Sequence, residues 1–256
     1  DSIHFFSANK DITINISEPF ADNRILFLKS LSKNILSNSE AKKFPDLVTF
    51  GYWCRPSNIK LLKQKYDDLD VRLGLGLAFH VAPSNVPLNF AFSFVFSLLA
   101  GNSNIIRMPS IGFDQVNAFL QIYNETVQEY EDINNSNVLL NYDSNDIETT
   151  EFFSLNADAR IFWGGDLSVS KLKQIISKER AIDVIFSDRH SGSIIDVDTL
   201  SRATPKEFER LTHNLYNDIF LMDQNACSSP RVIFWKGGSN NAYTSCKDEL
   251  LSSVLA

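Results

Sequence analysis

The sequence predicts an α/β protein built around a doubly wound parallel sheet, and three observations predict it. From Leu73 onward, strand-like and helix-like segments alternate regularly. Several of the strand-like segments are short continuous apolar runs, the pattern of strands covered by helices on both faces. The loops after Val81, Met108, Trp163 and Phe186 then fall where such sheets bind ligands, beyond the carboxyl ends of their strands.

The elements follow in order. Residues 1–70 form an N-terminal segment expected to pack on the sheet domain: Asp11 to Ile16 alternates like a strand, Asn23 to Asn38 has the spacing of an amphipathic helix, and Lys60 to Asp70 is rich in charge. Residues 71–190 form the expected doubly wound α/β domain. Leu73 to Val81 reads as its first strand, and Val86 to Ala100 as a helix stopped by Gly101-Asn102. Asn104 to Met108 is a strand, Phe113 to Tyr130 a helix and Asn137 to Tyr142 a strand, with the Asn-rich patch at Asn134 to Asn137 read as a loop. Ile147 to Leu155 is a helix, Ala159 to Trp163 a strand, Leu167 to Ser177 a helix and Ile182 to Phe186 a strand. Residues 191–256 read as the beginning of a second α/β domain. It has a short strand after Gly192, an amphipathic helix from Thr204 to Leu221, and a buried strand from Pro230 to Trp235 closed by Gly237 and Gly238.

Composition narrows the class of function. With 44% apolar residues and 20 phenylalanines among 256 residues, the chain can build large cores. A net charge of -7 and a pI near 5.1 argue against a nucleic-acid surface, which needs clustered Lys and Arg. The most apolar stretch, Val86 to Ala100, is interrupted by Asn89, Ser93 and Ser97 and is too short to span a bilayer. The first residues carry no secretory signal, and an opening Asp in place of Met suggests a processed chain or a fragment. Cysteines at 54, 227 and 246 have neither metal-ligand spacing nor a disulfide framework, so a reducing, cytoplasmic compartment is expected.

One of those cysteines stands apart. Asp223-Gln224-Asn225-Ala226-Cys227-Ser228-Ser229 sets Cys227 in a small polar turn between helix and strand. Only the thiolate is a good nucleophile, and such a turn offers exposure and nearby donors. A cysteine is also a common small core residue, the role expected of Cys54 and Cys246. Asn85, in the loop after the first strand, suits either an N-cap or an amide donor to a developing oxyanion. Arg107 can bind a phosphorylated ligand or pair with a surface acid. Ser110 lacks the carboxylate with which many dinucleotide folds hold a ribose diol, leaving room for a 2′-phosphate. Gly164-Gly165 permits a tight turn and close approach of a pyrophosphate to a helix N-terminus, although Asp166 could simply cap that helix. Asp188-Arg189-His190-Ser191 reads equally as a polar turn with an ion pair.

Four of these pieces, in this order, resemble the aldehyde dehydrogenase superfamily. Pro83-Ser84-Asn85-Val86-Pro87-Leu88 looks like its PWNFPL motif, and Ala100-Gly101-Asn102 through Arg107-Met108-Pro109-Ser110 looks like its AGN...KPSE segment. Phe162-Trp163-Gly164-Gly165 resembles the FTGS turn, and Gln224-Asn225-Ala226-Cys227 sits where the nucleophilic cysteine is carried, 142 positions after Asn85. Within the superfamily, the wording from Leu73 to Trp235 is similar to the acyl-CoA reductase family typified by the fatty acid reductase of bacterial bioluminescence.

This resemblance implies a Rossmann-type cofactor domain followed by the start of a catalytic domain, and NADPH-dependent reduction of a fatty acyl thioester to the aldehyde. Cys227 would carry the acyl group, Asn85 and the Cys227 N–H would bind the oxyanion, and Arg107, Ser110, Gly164 and Gly165 would hold NADPH. The implied partners are a fatty acyl-CoA or an acyl-carrying protein, in an oligomeric enzyme. Two departures matter. Where hydrolysing relatives carry an ELGG glutamate, this chain reads Phe186-Ser187-Asp188-Arg189-His190, which favours reduction over release of an acid. In the KPSE position Arg107 replaces the lysine, and Ser110 or its neighbour replaces the acid, which favours NADPH over NADH. The family's catalytic domain continues well beyond its nucleophile, whereas this chain stops 29 residues after Cys227. A CoA-acylating aldehyde dehydrogenase and a non-catalytic acyl-binding subunit remain alternatives. Phe90 to Phe96 suits core packing or an acyl tunnel.

Overall fold

The computed structural model describes residues 3–110, 112–220, 224 and 226–255. It divides into two compact units, residues 1–187 and 188–256.

In the first unit, short apolar runs become the strands of one sheet. These are β1 (His4–Phe5), β2 (Leu77–Val81), β3 (Ser103–Arg107), β4 (Asn137–Asn141), β5 (Ala159–Trp163) and β6 (Ile182–Phe186). Their order is β1-β4-β3-β2-β5-β6, with β1 antiparallel to β4 and every other pair parallel. Every residue of β2 and β3 is buried, as parallel strands between two helical layers must be. Successive side chains take opposite faces. Ile106 and Leu139 join one core with α1 (Asp22–Ser37), α2 (Pro45–Trp53), α3 (Pro56–Lys63), α4 (Asn89–Leu99) and α5 (Asp114–Val127). Phe79, Ile105, Leu140 and Phe162 join a second core with α7 (Ile147–Asn156) and, at its margin, α8 (Asp166–Gln174). A bidentate ion pair, Arg160 to Asp183 at 2.7 Å, ties edge strand β6 to β5.

Three expectations for this unit differ from what is observed. Asp11 to Ile16 is not a strand: Ile14 and Ile16 face solvent, and the backbone of this stretch serves irregular contacts, Thr13 N–H to the Asn135 carbonyl and Asn15 N–H to Ser103 Oγ. The Asn-rich patch is not a loop but the end of a short helix, α6 (Glu131–Ser136), whose Ile133 carbonyl accepts from the Asn137 side chain. Val86 is not yet helical, and α4 begins at Asn89. The predicted end of the later helix at Leu221 lies outside the described residues.

The second unit is a two-stranded parallel sheet of β7 (Ser191–Asp196) and β8 (Pro230–Lys236), with α9 (Val197–Leu200), α10 (Pro205–Phe220) and α11 (Asn240–Leu255). Ile195 packs with Val197, Leu215, Ile219, Cys246, Leu250 and Val254 into its core, and Ile233 and Trp235 pack at the edge. The other face of this sheet is exposed, with Ile194 at 73%, Val232 at 51% and Phe234 at 59% exposure, so β8 is not the buried strand its apolar run predicts: only one side of the two-stranded sheet is covered by helices.

Besides β1 and the packing of α1 to α3, a buried cation ties residues 1–70 to the sheet domain. Arg24 is buried and donates to the carbonyls of Leu98 (2.6 Å), Asn102 (2.8 Å) and Asn15 (2.9 Å), and burial lowers its guanidinium to about 10. Beside it, Gly74 N–H donates to the Ser17 carbonyl and Ser17 N–H to that of Gly101, whose φ of +97° suits glycine. A Cβ on Gly74 would collide with the Gly101 carbonyl. Removing the cation strands three carbonyls in or near the interior, so Arg24→Ala is expected to cost about 3 kcal/mol in urea unfolding. A loss below about 1 kcal/mol would show that water replaces the guanidinium.

Candidate active site

Strand order places the crevice. β2 and β5 are neighbours, but the connection after β2 leads to β3 on one side and that after β5 leads to β6 on the other, which opens a cleft at the carboxyl ends of β2 and β5. The loop 82–88 follows β2, and Gly164-Gly165 follows β5. Asn85 lies exposed in the first of these loops. It does not cap α4, because the N-cap is Leu88 and has no side-chain cap bond.

Gly165 is the N-cap of α8 with φ −64° and ψ 156°, a conformation open to any residue. A Cβ on Gly164 would make only ordinary contacts, 3.6 Å to Ser168 and 4.0 Å to Val169. Neither the packing nor a left-handed backbone explains the glycine at 164. A ligand approaching the bare backbone at the start of α8 would explain it.

Arg107 ends β3, next to β2, and Ser110 lies in the loop after it. Ser110 is exposed, and its neighbour Ile111 lies outside the described residues. Arg107 is buried instead of presented at the surface: Nη2 donates to the Tyr142 carbonyl at 3.3 Å and the guanidinium lies 4.8 Å from the Tyr142 ring. Its Nε is buried with no hydrogen-bond partner in the structure. Burial raises the Tyr142 hydroxyl, opposed by its bond to Thr150 and by the Arg107 charge. A buried cation with a spare donor, bare glycine backbone and an exposed serine where a carboxylate would repel an anion all fit a phosphate-bearing dinucleotide.

Cys227 belongs to the second unit. Of the three cysteines it alone is exposed, since Cys54 and Cys246 lie in apolar cores and burial pushes the Cys54 thiol up. The turn around it is closed by Ser229 N–H to the Ala226 carbonyl (3.0 Å), and Ser191 Oγ donates to the Cys227 carbonyl (2.6 Å). Gln224 has φ 59°, and its N–H donates to the Ile219 carbonyl. Asp223 and Asn225 of this segment lie outside the described residues. His190 Nδ1 lies 3.4 Å from an Arg231 guanidinium nitrogen, so in 188–191 the recorded side-chain contact of His190 is with a cation rather than an acid.

Other features are excluded from the crevice. Phe90 and Phe94 are core, edge-on to Phe119 and Tyr123, while Phe92 and Phe96 meet Trp53. A cavity of about 510 Å3 lined by Glu18, Lys60, Lys63, Tyr66, Leu69 and Asp70 opens by α3. It lies toward the amino ends of the strands, because Phe20 next to it bonds Leu99 at the end of α4. Among the described residues no group of three or more His, Cys, Asp or Glu could hold a metal, and no helix is long and apolar enough to cross a membrane.

Sequence reasoning passed over a buried polar chain that ends at the crevice. Trp163 Nε1 donates to Ser93 Oγ (3.1 Å), Ser93 Oγ meets His80 Nδ1 (2.8 Å), and His80 Nε2 meets Asn104 Oδ1 (3.0 Å). Asn104 Nδ2 donates to Asn137 Oδ1 (2.7 Å). The signal was present, in a serine that interrupts the apolar run of α4 and a histidine inside an apolar strand.

The chain is similar to known proteins in sequence and in fold. The family model described as acyl-CoA reductase (LuxC) matches residues 56–255. The long-chain acyl-protein thioester reductase of Aliivibrio fischeri is 24% identical over 163 residues, covering 63% of this chain and 32% of that protein. Long-chain acyl-protein thioester reductase 2 of Photobacterium leiognathi is 25% identical over 164 residues, covering 64% and 33%. The chain thus spans about a third of the length of these curated relatives. In fold it resembles the NAD-dependent aldehyde dehydrogenase from Sinorhizobium meliloti, with TM-score 0.63 and 12% identity over 93% of this chain and 49% of that one. It also resembles the propionaldehyde dehydrogenase from Rhodopseudomonas palustris solved with bound propionyl-CoA, with TM-score 0.61 and 13% identity over 91% and 52%.

The buried histidine makes stability depend on pH. An ordinary imidazole binds its proton near pH 6.5, whereas burial lowers His80 to about 4 even though the Asn104 bond pulls the other way. Between these values the unfolded chain holds the extra proton, so stability is full above about pH 6.5 and is lost as pH falls toward 4, by about 3 kcal/mol in total. His80→Gln is expected to flatten this slope in urea unfolding between pH 6.5 and 4.5. An undiminished slope would assign the loss to other groups.

Proposed function

Because the chain belongs to the acyl-CoA reductase (LuxC) family, we propose that it serves the reduction of a long-chain acyl thioester to the aldehyde, with Cys227 as the covalent acyl carrier and NADPH as the reductant. The observation that carries this reading is the exposed Cys227 thiol in its closed polar turn, the one cysteine outside an apolar core. The acyl donor is a CoA thioester or an acyl-carrying protein. The curated relatives, named as reductases of acyl-protein thioesters, favour the second.

In the first step the Cys227 thiolate attacks the acyl carbonyl, a new carbon–sulfur bond forms, and the donor's thiol departs with a proton. The Asn85 amide and the Cys227 N–H donate to the transient oxyanion. A bound NADPH would supply the hydride, and with it the two electrons that turn the acyl group into an aldehyde; the carbon–sulfur bond to Cys227 then breaks and the Cys227 thiolate is restored as the aldehyde leaves. Gly164 and Gly165 give the dinucleotide access to backbone N–H groups, the buried Arg107 cation favours its phosphates, and Ser110 leaves room for a 2′-phosphate. The stretch Phe186 to His190 lacks the glutamate with which hydrolysing relatives direct water at the thioester, which favours reduction. We propose a cytoplasmic, oligomeric setting on the same family grounds.

Two measurements test the reading. Incubation with a long-chain acyl-CoA is expected to add one acyl mass to the wild type and none to Cys227→Ala, read by intact mass spectrometry. No adduct on the wild type, or an equal adduct on the variant, would remove Cys227 from the chemistry. Ser110→Glu places a carboxylate against the 2′-phosphate and is expected to lower the preference for NADPH over NADH about tenfold. An unchanged preference would move the 2′-phosphate elsewhere.

A further inference from the structure

We propose that Ser93, His80 and Asn104 are positioning residues, a one-way hydrogen-bond chain through the first unit that holds the Trp163 indole at the crevice and thereby sets the affinity for the dinucleotide. The proposal rests on the cofactor reading above.

The direction of the chain is forced by its ends. The Asn104 amide donates to the Asn102 carbonyl (3.2 Å), and a carbonyl can only accept, so Nδ2 faces that way and Oδ1 faces His80. His80 Nε2 must therefore carry hydrogen. In the neutral ring Nδ1 is then bare and accepts from the Ser93 hydroxyl, whose oxygen is left to accept from Trp163. The indole N–H can only donate, so the far end agrees with the near one. Beyond Asn104, Asn137 accepts from its amide and passes its own to the Ile133 carbonyl (2.7 Å). Each link points the same way, from the end of β5 across β2 and β3 to β4.

Such a chain is a costly way to fill a core. Ser93, His80, Asn104 and Asn137 are all buried, and apolar groups of similar shape would carry no desolvation cost. What a fully satisfied polar chain provides is a single orientation. The group it orients is the last residue of β5, one of the two strands that bound the crevice, directly before Gly164-Gly165. The Trp163 ring is only partly buried and lies flat on Phe186, 3.7 Å between centroids at 9°. With Ser93 fixing its N–H edge and Phe186 one ring contact, the indole forms a rigid wall beside the turn proposed to receive the dinucleotide.

The test is a double-mutant cycle on the NADPH dissociation constant, read by fluorescence titration. Ser93→Ala, which frees the indole N–H, is expected to weaken NADPH about tenfold, and Trp163→Phe, which keeps a ring but has no N–H, to weaken it by a similar factor. If Ser93 acts through Trp163, adding Ser93→Ala to Trp163→Phe changes nothing further. Independent, multiplying effects would show that Ser93 acts only by loosening the fold, and an unchanged constant in folded Ser93→Ala or in Trp163→Phe would equally overturn the proposal. Should Ser93→Ala fail to fold, Trp163→Phe alone decides. Failure of the wild type to bind NADPH would instead retire the cofactor reading, which separates the two.

Discussion

The pairing of β2 on both edges with parallel strands is the constraint on which the rest depends. Because β3 and β5 both run with it, each connection must cross the sheet over a helix, and the two sets leave in opposite directions. The cleft at the strand ends, the loop carrying Asn85 and the turn at Gly164 are all consequences of that one choice. So is the phenylalanine content of α4, since a strand buried on both faces needs an apolar layer above it. Phe90 and Phe94 pack α4 onto α5 through Phe119 and Tyr123.

Much of this was legible in the sequence, and the exceptions share a cause. The parallel strands were readable because unbroken apolar runs such as Ile105-Ile106 have few other uses, and the glycine turn and the cysteine turn were readable because polar residues cluster there. Asp11 to Ile16 misled because its isoleucines alternate like a strand, yet its backbone pairs with single groups on Asn135 and Ser103 instead of a neighbouring strand. Helices α2 and α3 begin on Pro45 and Pro56, a start signal that is local and weak without a long periodic face. Helix α11 had its signal in Cys246, Leu250 and Val254, one side of a helix at four-residue spacing. Arg107 was legible as a cation at a strand end, but its turn inward onto Tyr142 was not, because that depends on a residue of another strand's loop.

The two units distribute charge and reactivity differently. In the first, ionisable groups such as Arg24, His80 and Arg107 are sunk into the interior, where they orient backbone and side chains and where burial lowers the first two. In the second, the Cys227 thiol is exposed while Ser191 Oγ holds its carbonyl.

The open face of the β7–β8 sheet has a consequence for the behaviour of the chain in bulk. A sheet of two strands has no interior strand, so both are edges with unpaired backbone groups, and here the edges flank an apolar surface of Ile194, Val232 and Phe234. Such a surface invites further strands of any origin, a second copy included. Colloidal stability at high concentration, more than thermal stability, is therefore the property this chain stakes on that face. The net charge of -7 opposes such association, and salt weakens that repulsion.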